Sequence, residues 1–442
     1  MNHRSPSFPA SGRVAASAVV AVALSLASPA RADVIDPSMP RTLVVGAPRG
    51  DAPSERLDAQ RTGRSPSLFP AAPLHRWEHH ITGGIELTPV VDEHDNVLVV
   101  GTAPDVIKLD SEGKEVWRLR FGTSAAVVAP VLTSDGTLVI VTAAGQAVGV
   151  TPAGALRFVT PLGVRGRDAD TVPLALDDGG VIVAAGGTLV EIDRDGVVRA
   201  RTALEIRPGS ADSRVTGALV QGPAREALFT TESGSVFAWR PPLAPRKLGN
   251  LGGFPKRGAV VTGPRTLTAI VDSRRIVDFD LPTGVTHVRG STGSGAMIDG
   301  PVTLAPDGLL LAATQTGLLL GVDGAGNETV RIALEKPPIA PPVAPGPTPG
   351  SVNIFGGTVG GSPGAGFFGA PVEIKPSPAP IIDREGRIAF VRATGRAGVV
   401  SPRGVVTLAS ERVCGSPLAA LPAGPKRLLI ACRDGGLWLY GE

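Results

Sequence analysis

The sequence has one Tyr, four Trp and two Cys among 442 residues. So few flat rings leave little for a sugar-stacking surface, which relies on aromatic platforms. Two Cys, not adjacent, exclude a disulfide-rich scaffold and a four-thiolate zinc site. No stretch of roughly a dozen residues keeps a 3.6-residue apolar period, which argues against a helical bundle. No Walker loop occurs, and no G-x-S-x-G stands in the strand-to-helix setting of a nucleophile elbow. The Gly-rich run at 356–366, "GGTVGGSPGAG", lacks a strand before it, a helix after it and a ribose-binding acid.

Long apolar runs are also missing, apart from "VAASAVVAVALSLA" at 14–27. It follows Arg4 and Arg13 and precedes Ala30-Arg31-Ala32. A basic start, a short apolar run and an A-x-A site predict a secretory signal peptide over 1–32. The run falls short of the roughly 20 residues that span a bilayer, so no transmembrane segment is expected in the mature chain. No Cys follows the cleavage point for a lipid anchor. The chain has 43 Lys+Arg and 40 Asp+Glu, and residues 1–32 hold Arg4, Arg13 and Arg31 without an acid. The mature chain is therefore neutral and has no electrostatic drive towards nucleic acid.

What is abundant is Gly and Pro, 57 and 42 residues, among short Val- and Leu-rich runs. That composition predicts short strands and tight turns. Residues 33–73 are rich in Pro, Arg and Ser and read as a poorly ordered tether that does not join a sheet. From residue 74 a unit recurs, with starts at Pro89, Pro130, Pro173, Gly217, Ala259, Pro301, Pro380 and Pro417. The spacings are 41, 43, 44, 42, 42, 79 and 37. Each unit offers four short strands, with a turn ending in Gly before the fourth. Four antiparallel strands at this period predict a propeller blade. The 79-residue step contains a Pro/Gly-rich loop insertion at 336–377. The last unit has only three strands, and the missing fourth is predicted at 74–81, "LHRWEHHI". The expected fold is all-β: an eight-bladed propeller of four-stranded antiparallel blades, closed by an N-terminal strand over residues 74–442.

The stretch Asp193-Arg194-Asp195-Gly196 could open a calcium loop. Its equivalents elsewhere are "DSEG", "TPAG", "DLPTG", "DGAG" and "SPRG", which share only the Gly. A turn that needs positive φ explains the pattern, and no metal site is expected.

The repeats resemble the pyrroloquinoline-quinone-like repeat family. The likeness is clearest in Pro89, Val90, Val99, Gly101, Leu109, Asp110, Gly113 and Trp117. That family includes quinoprotein dehydrogenases and the propeller lipoprotein of outer-membrane β-barrel assembly. The resemblance implies that a fourth-strand Trp locks neighbouring blades. Trp77 and Trp117 hold that place, and Phe158 or smaller residues replace it elsewhere; Trp239 and Trp438 fall in third strands. The adjacent Cys pair and calcium ligands of the dehydrogenases find no counterpart.

His79 and His80 are neighbours on a strand and would face opposite sides, and His75, His94 and His287 stand alone. Cys414 and Cys432 fall nearly opposite in a hairpin and are expected to form a disulfide in an exported chain. Phe355, Phe367 and Phe368 lie in the insertion and form a candidate interaction loop. The function expected is an exported, non-catalytic scaffold, periplasmic or extracellular, binding a protein or cell-envelope component, with no catalytic residue and no cofactor. A quinone-dependent dehydrogenase using the central channel and a carbohydrate-binding propeller stand as alternatives.

Overall fold

A computed structural model describes residues 50–442, except 166–168, 170, 205–211, 213, 293–296, 299 and 335–377. The described residues form eight four-stranded antiparallel sheets, arranged as the blades of a propeller. Blades 1–7 occupy residues 90–120, 131–161, 174–203, 215–250, 255–291, 303–333 and 381–410. Blade 8 combines three C-terminal strands, Pro417–Pro422, Arg427–Cys432 and Gly436–Gly441, with Leu74–His80. The N-terminal strand pairs antiparallel with Gly436–Gly441, with Trp77 opposite Leu439 and His80 opposite Gly436. The C-terminal strand Gly436–Gly441 is therefore paired on both sides, and blade 8 has its four strands.

The strand sequences follow from their place in a blade. Second strands such as Val97–Val100 and Leu138–Val141 are buried along their whole length. Blades stack face to face, so both sides of these strands meet neighbours and both must be apolar. The fourth strand Glu115–Arg120 lies at the periphery and alternates exposed and part-buried positions. The turn before it needs a residue at positive φ, supplied by Gly113 at +80°.

The stretch at Asp193 is such a turn. The Asp193 carboxylate accepts from the amides of Asp195 and Val197, and Gly196 takes φ +86°. Asp110 and Asp323 receive two amides in the same way. These carboxylates satisfy turn N–H groups that would otherwise lack a partner.

One expectation is overturned. Residues 50–73, read as part of the tether, are built into the ring: Ala52 forms a β-bridge with Val91, and Leu57 and Phe69 are buried. Residues 33–49 and the insertion with Phe355, Phe367 and Phe368 lie outside the described residues. Among the described residues no helix is long and apolar enough to cross a membrane.

Candidate functional site

The innermost strand of each blade has one edge facing the central channel. In blades 1, 2, 3, 6 and 7 this strand is only two residues long. Its free N–H groups need partners, and residues 52–68 supply them as a belt that meets the blades nearly in chain order. Val91 of blade 1 donates to the Ala52 carbonyl and Leu132 of blade 2 to Pro53. Gln221 of blade 4 donates to Ala59, Val261 of blade 5 to Gln60, and Leu304 of blade 6 to Thr62. Ile382 of blade 7 donates to Gly63, and Lys426 of blade 8 to Leu68.

Three belt arginines reinforce these contacts with guanidinium-to-carbonyl bonds. Arg56 Nη1 donates to the Pro380 carbonyl at 2.9 Å, and its Nη2 to the Val302 carbonyl and the Thr303 hydroxyl at 2.8 and 2.9 Å. It leaves the belt between the contacts to blades 2 and 4 and ends on blades 6 and 7. Arg61 leaves between blades 5 and 6 and reaches back, donating to Pro173 of blade 3 at 2.9 Å, to Leu219 of blade 4 at 3.4 Å and to Glu55. The two side chains thus cross-brace the channel. Arg64 adds bonds to the carbonyls of Leu304 and Ala305. Burial lowers both Arg56 and Arg61 to about 10, against the opposing charges of Glu55 and Asp58, so both remain cationic at neutral pH. Arg56 is enclosed by protein yet keeps some surface towards the space beside it, whereas Arg61 is 2% exposed. Burial raises the Asp58 carboxyl despite the Thr62 amide and hydroxyl that donate to it.

Beside the belt lies a chamber of about 480 Å³. Glu55, Arg56, Leu57 and Arg61 form its floor, and Thr88, Val128, Val172, Val260, Ile381 and Ala419 contribute to its wall. Glu86, Phe254, Glu232 and Arg433 stand around the other end; Glu232 pairs with Arg214 at 3.4 Å. The floor guanidiniums direct their Nη groups mainly at main-chain carbonyls, with one bond to the Thr303 hydroxyl, and so brace the ring; Arg56 Nε is buried without a partner. Among the described residues no group of three or more His, Cys, Asp or Glu could hold a metal ion.

The remaining candidates lie elsewhere. Trp77 donates its indole N–H to the Ser111 carbonyl at 2.9 Å and covers Gly113, where a Cβ would stand 2.6 Å from the ring. Trp117 does the same to the Pro152 carbonyl at 3.1 Å and to Gly154. Phe158 covers Gly196. Trp239, fully buried, donates to Leu243 within blade 4. Cys414 and Cys432 are joined in a disulfide with Cα atoms 6.3 Å apart, which ties the segment leading into blade 8 to that blade's strand Arg427–Cys432. His75 meets Tyr440 edge-on, with ring centres 5.8 Å apart, while His79 and His80 sit on alternating positions of the closing strand. None of these joins the chamber. The belt arginines escaped the sequence reading because their composition is that of a solvated linker. Leu57 and Phe69, isolated apolar residues within it, were the available signal.

Residues 58–243, from the middle of the belt through blade 4, match the family described as outer membrane protein assembly factor BamB. No curated protein matches the chain. Among solved structures, BamB from Moraxella catarrhalis is 15% identical, with a TM-score of 0.56 over 84% of this chain and 100% of that one. The computationally designed Ika8 protein is 13% identical, with a TM-score of 0.60 over the same shares, 84% and 100%. At such identities the likeness speaks to the fold alone. The blade geometry makes this an eight-bladed propeller similar in architecture to BamB, and its residues 58–243 match the repeat model of that family.

Proposed function

We propose that the protein is an exported, non-catalytic scaffold that binds a protein or cell-envelope component through its loops and blade edges. The observation that carries this reading is the belt. The channel axis, where a propeller enzyme would hold its reacting groups, is cross-braced by Arg56 and Arg61, whose terminal N–H groups are engaged chiefly by main-chain carbonyls of several blades. The family matched over 58–243 is named for a role in outer-membrane protein assembly, which favours a protein partner. Export is supported by Arg4, Arg13, the apolar run at 14–27 and Ala30-Arg31-Ala32, and by a disulfide that suits an oxidising compartment.

The test is a pull-down from envelope extract with mature protein, beside a form lacking 336–377. A specific protein or envelope component is expected with the mature form. A stoichiometric complex with pyrroloquinoline quinone and calcium, with dye-linked oxidation of an alcohol or sugar, would overturn the reading. N-terminal sequencing of exported material should begin at Asp33.

A further inference from the structure

Blade junctions on one side of this ring are sealed near the periphery by a ring side chain laid on the next blade's turn. The rung that carries it is set by the ladder. Trp117 stands opposite Lys108, and Phe158 opposite Gly149, each just past a register shift in its own ladder. In blade 6 the same rung pairs Gly321 with Val330. The junction of blades 6 and 7 therefore lacks the aromatic. The turn it faces keeps its form: Gly404 takes φ +78°, in the place of Gly113 and Gly154. A Cβ on Gly404 would meet only Ile332, at 3.9 Å, where the Trp-sealed turns allow 2.6 and 2.7 Å.

What remains is a groove of about 590 Å³. Its apolar lining includes Leu309, Val330, Ile332 and Ile388, with Pro402 and Gly404 across from Val330 and Ile332. Pro402 occupies the turn position of Ser111 and Pro152, the residues whose carbonyls accept the indole N–H of Trp77 and Trp117. The rim is basic. Arg331 is paired with Glu328, and Glu385 with Arg387. Arg384 and Arg403 are exposed and belong to no ion pair among the described residues, against one remaining acid, Asp307.

We propose that this groove docks an aromatic side chain, tryptophan above all, from an acidic segment of a protein partner. The chemistry is copied from the chain itself: a flat ring over a side-chain-free glycine, with its N–H directed at a turn carbonyl, buries apolar area and satisfies its one polar atom. Acidic residues flanking that ring meet Arg384 and Arg403, which favours such partners over basic ones. The proposal rests on the scaffold reading and gives that scaffold a contact point.

The probe is a short fluorescein-labelled peptide with one Trp between pairs of Asp, titrated against the full chain and followed by anisotropy. Saturable binding is expected, weakened about tenfold when the peptide's Trp becomes Ala or its Asp residues become Lys. Val330→Trp should seal the groove as Trp117 seals its own, lowering binding about tenfold with an unchanged or raised melting temperature. If that variant melts lower, Ile332→Glu serves instead, placing a carboxylate in the groove. Arg403→Glu should shift preference towards the Lys-flanked peptide. The proposal fails if the native chain does not bind the Asp-flanked peptide, or if Val330→Trp and Ile332→Glu bind it as the native chain does. It also fails if binding appears only after removal of 336–377, which would assign the groove to the chain's own Phe-bearing insertion. Self-association that Val330→Trp abolishes would assign it to a second copy. An envelope pull-down that succeeds equally with Val330→Trp leaves the scaffold reading standing while this contact falls.

Discussion

The two ends of the central channel are built from different parts of the chain. One end is covered by residues 52–68, which accept amides from the inner edges of the blades and send Arg56 and Arg61 across the axis. The other is bordered by Glu86, Glu232 and Arg433 and by Phe254, which is 42% exposed. Beneath the belt, both ends are ringed by short segments of the same eight repeats. They differ because the inner strands leave main-chain groups unpaired, and among the described residues a separate segment satisfies them at one end. The comparison teaches that a propeller whose inner strands are mostly short gains from an internal ligand, supplied here by its own chain.

Removing the belt is the strongest way to break this comparison. A chain beginning at Leu74 keeps the closing strand but loses buried Leu57 and Phe69 and the amide partners of the inner strands. It should be destabilised by about 5 kcal/mol or more relative to a chain beginning at Gly50, read from denaturant midpoints. Equal midpoints would show that the belt adds nothing. A chain beginning at Gly83 also loses the fourth strand of blade 8 and should aggregate through the exposed edge of Gly436–Gly441.

A single belt residue gives a finer contrast. Arg61→Ala leaves the Pro173 and Leu219 carbonyls without their donor and should cost about 3 kcal/mol. Phe254→Ser at the open end should change stability by about 0.5 kcal/mol or less. If the two losses match in urea unfolding, the ends are energetically alike. Replacing both Cys414 and Cys432 by Ser should cost about 3 kcal/mol through the unfolded chain. That cost should add to the Arg61→Ala loss, since the disulfide acts on the reference state.

The smallest expected effect is a pH contrast between the belt and a blade turn. Asp58 is raised by burial, so its folded carboxyl binds a proton more tightly than in the unfolded chain. The native chain should therefore gain stability relative to Asp58→Asn as pH falls from neutral through the folded value. In the turn after the inner strand of blade 2, burial pulls Asp135 up, but hydrogen bonds from Thr133, Arg157 and Thr137 outweigh it and hold the carboxyl at about 2. Its contribution is present above the ordinary value and is lost as pH falls towards about 2. Melting curves of Asp58→Asn and Asp135→Asn against native protein should diverge with opposite signs on acidification.

Much of the fold was legible because its rules are local. Alternation in Glu115–Arg120, the buried run Val97–Val100 and the turn before the fourth strand all follow from nearest neighbours along a meander. The closing strand was legible by subtraction, since the final unit lacked one strand and Trp77 matched Trp117 in setting. The belt was not. Ser54, Arg56, Asp58, Arg61 and Arg64 have the polarity of a solvated tether, and the three arginines donate to carbonyls of residues 173, 219, 302, 304 and 380. Main-chain partners leave no complementary side chain for a sequence pattern to reveal.

The sequence by itself determined the eightfold repeat, the four-strand meander within it, the glycine-bearing turns and the need for a strand from the N-terminal side. These depend on side-chain size, alternation and backbone freedom at particular positions. Only the tertiary structure decided that the channel is occupied at one end, that two arginines lie across it against carbonyls, and that a groove stands between blades 6 and 7 beside Val330 and Gly404 among the described residues. Each of these depends on distances set when the ring closes, since unpaired inner edges and an unfilled rung exist only once all eight blades are in place.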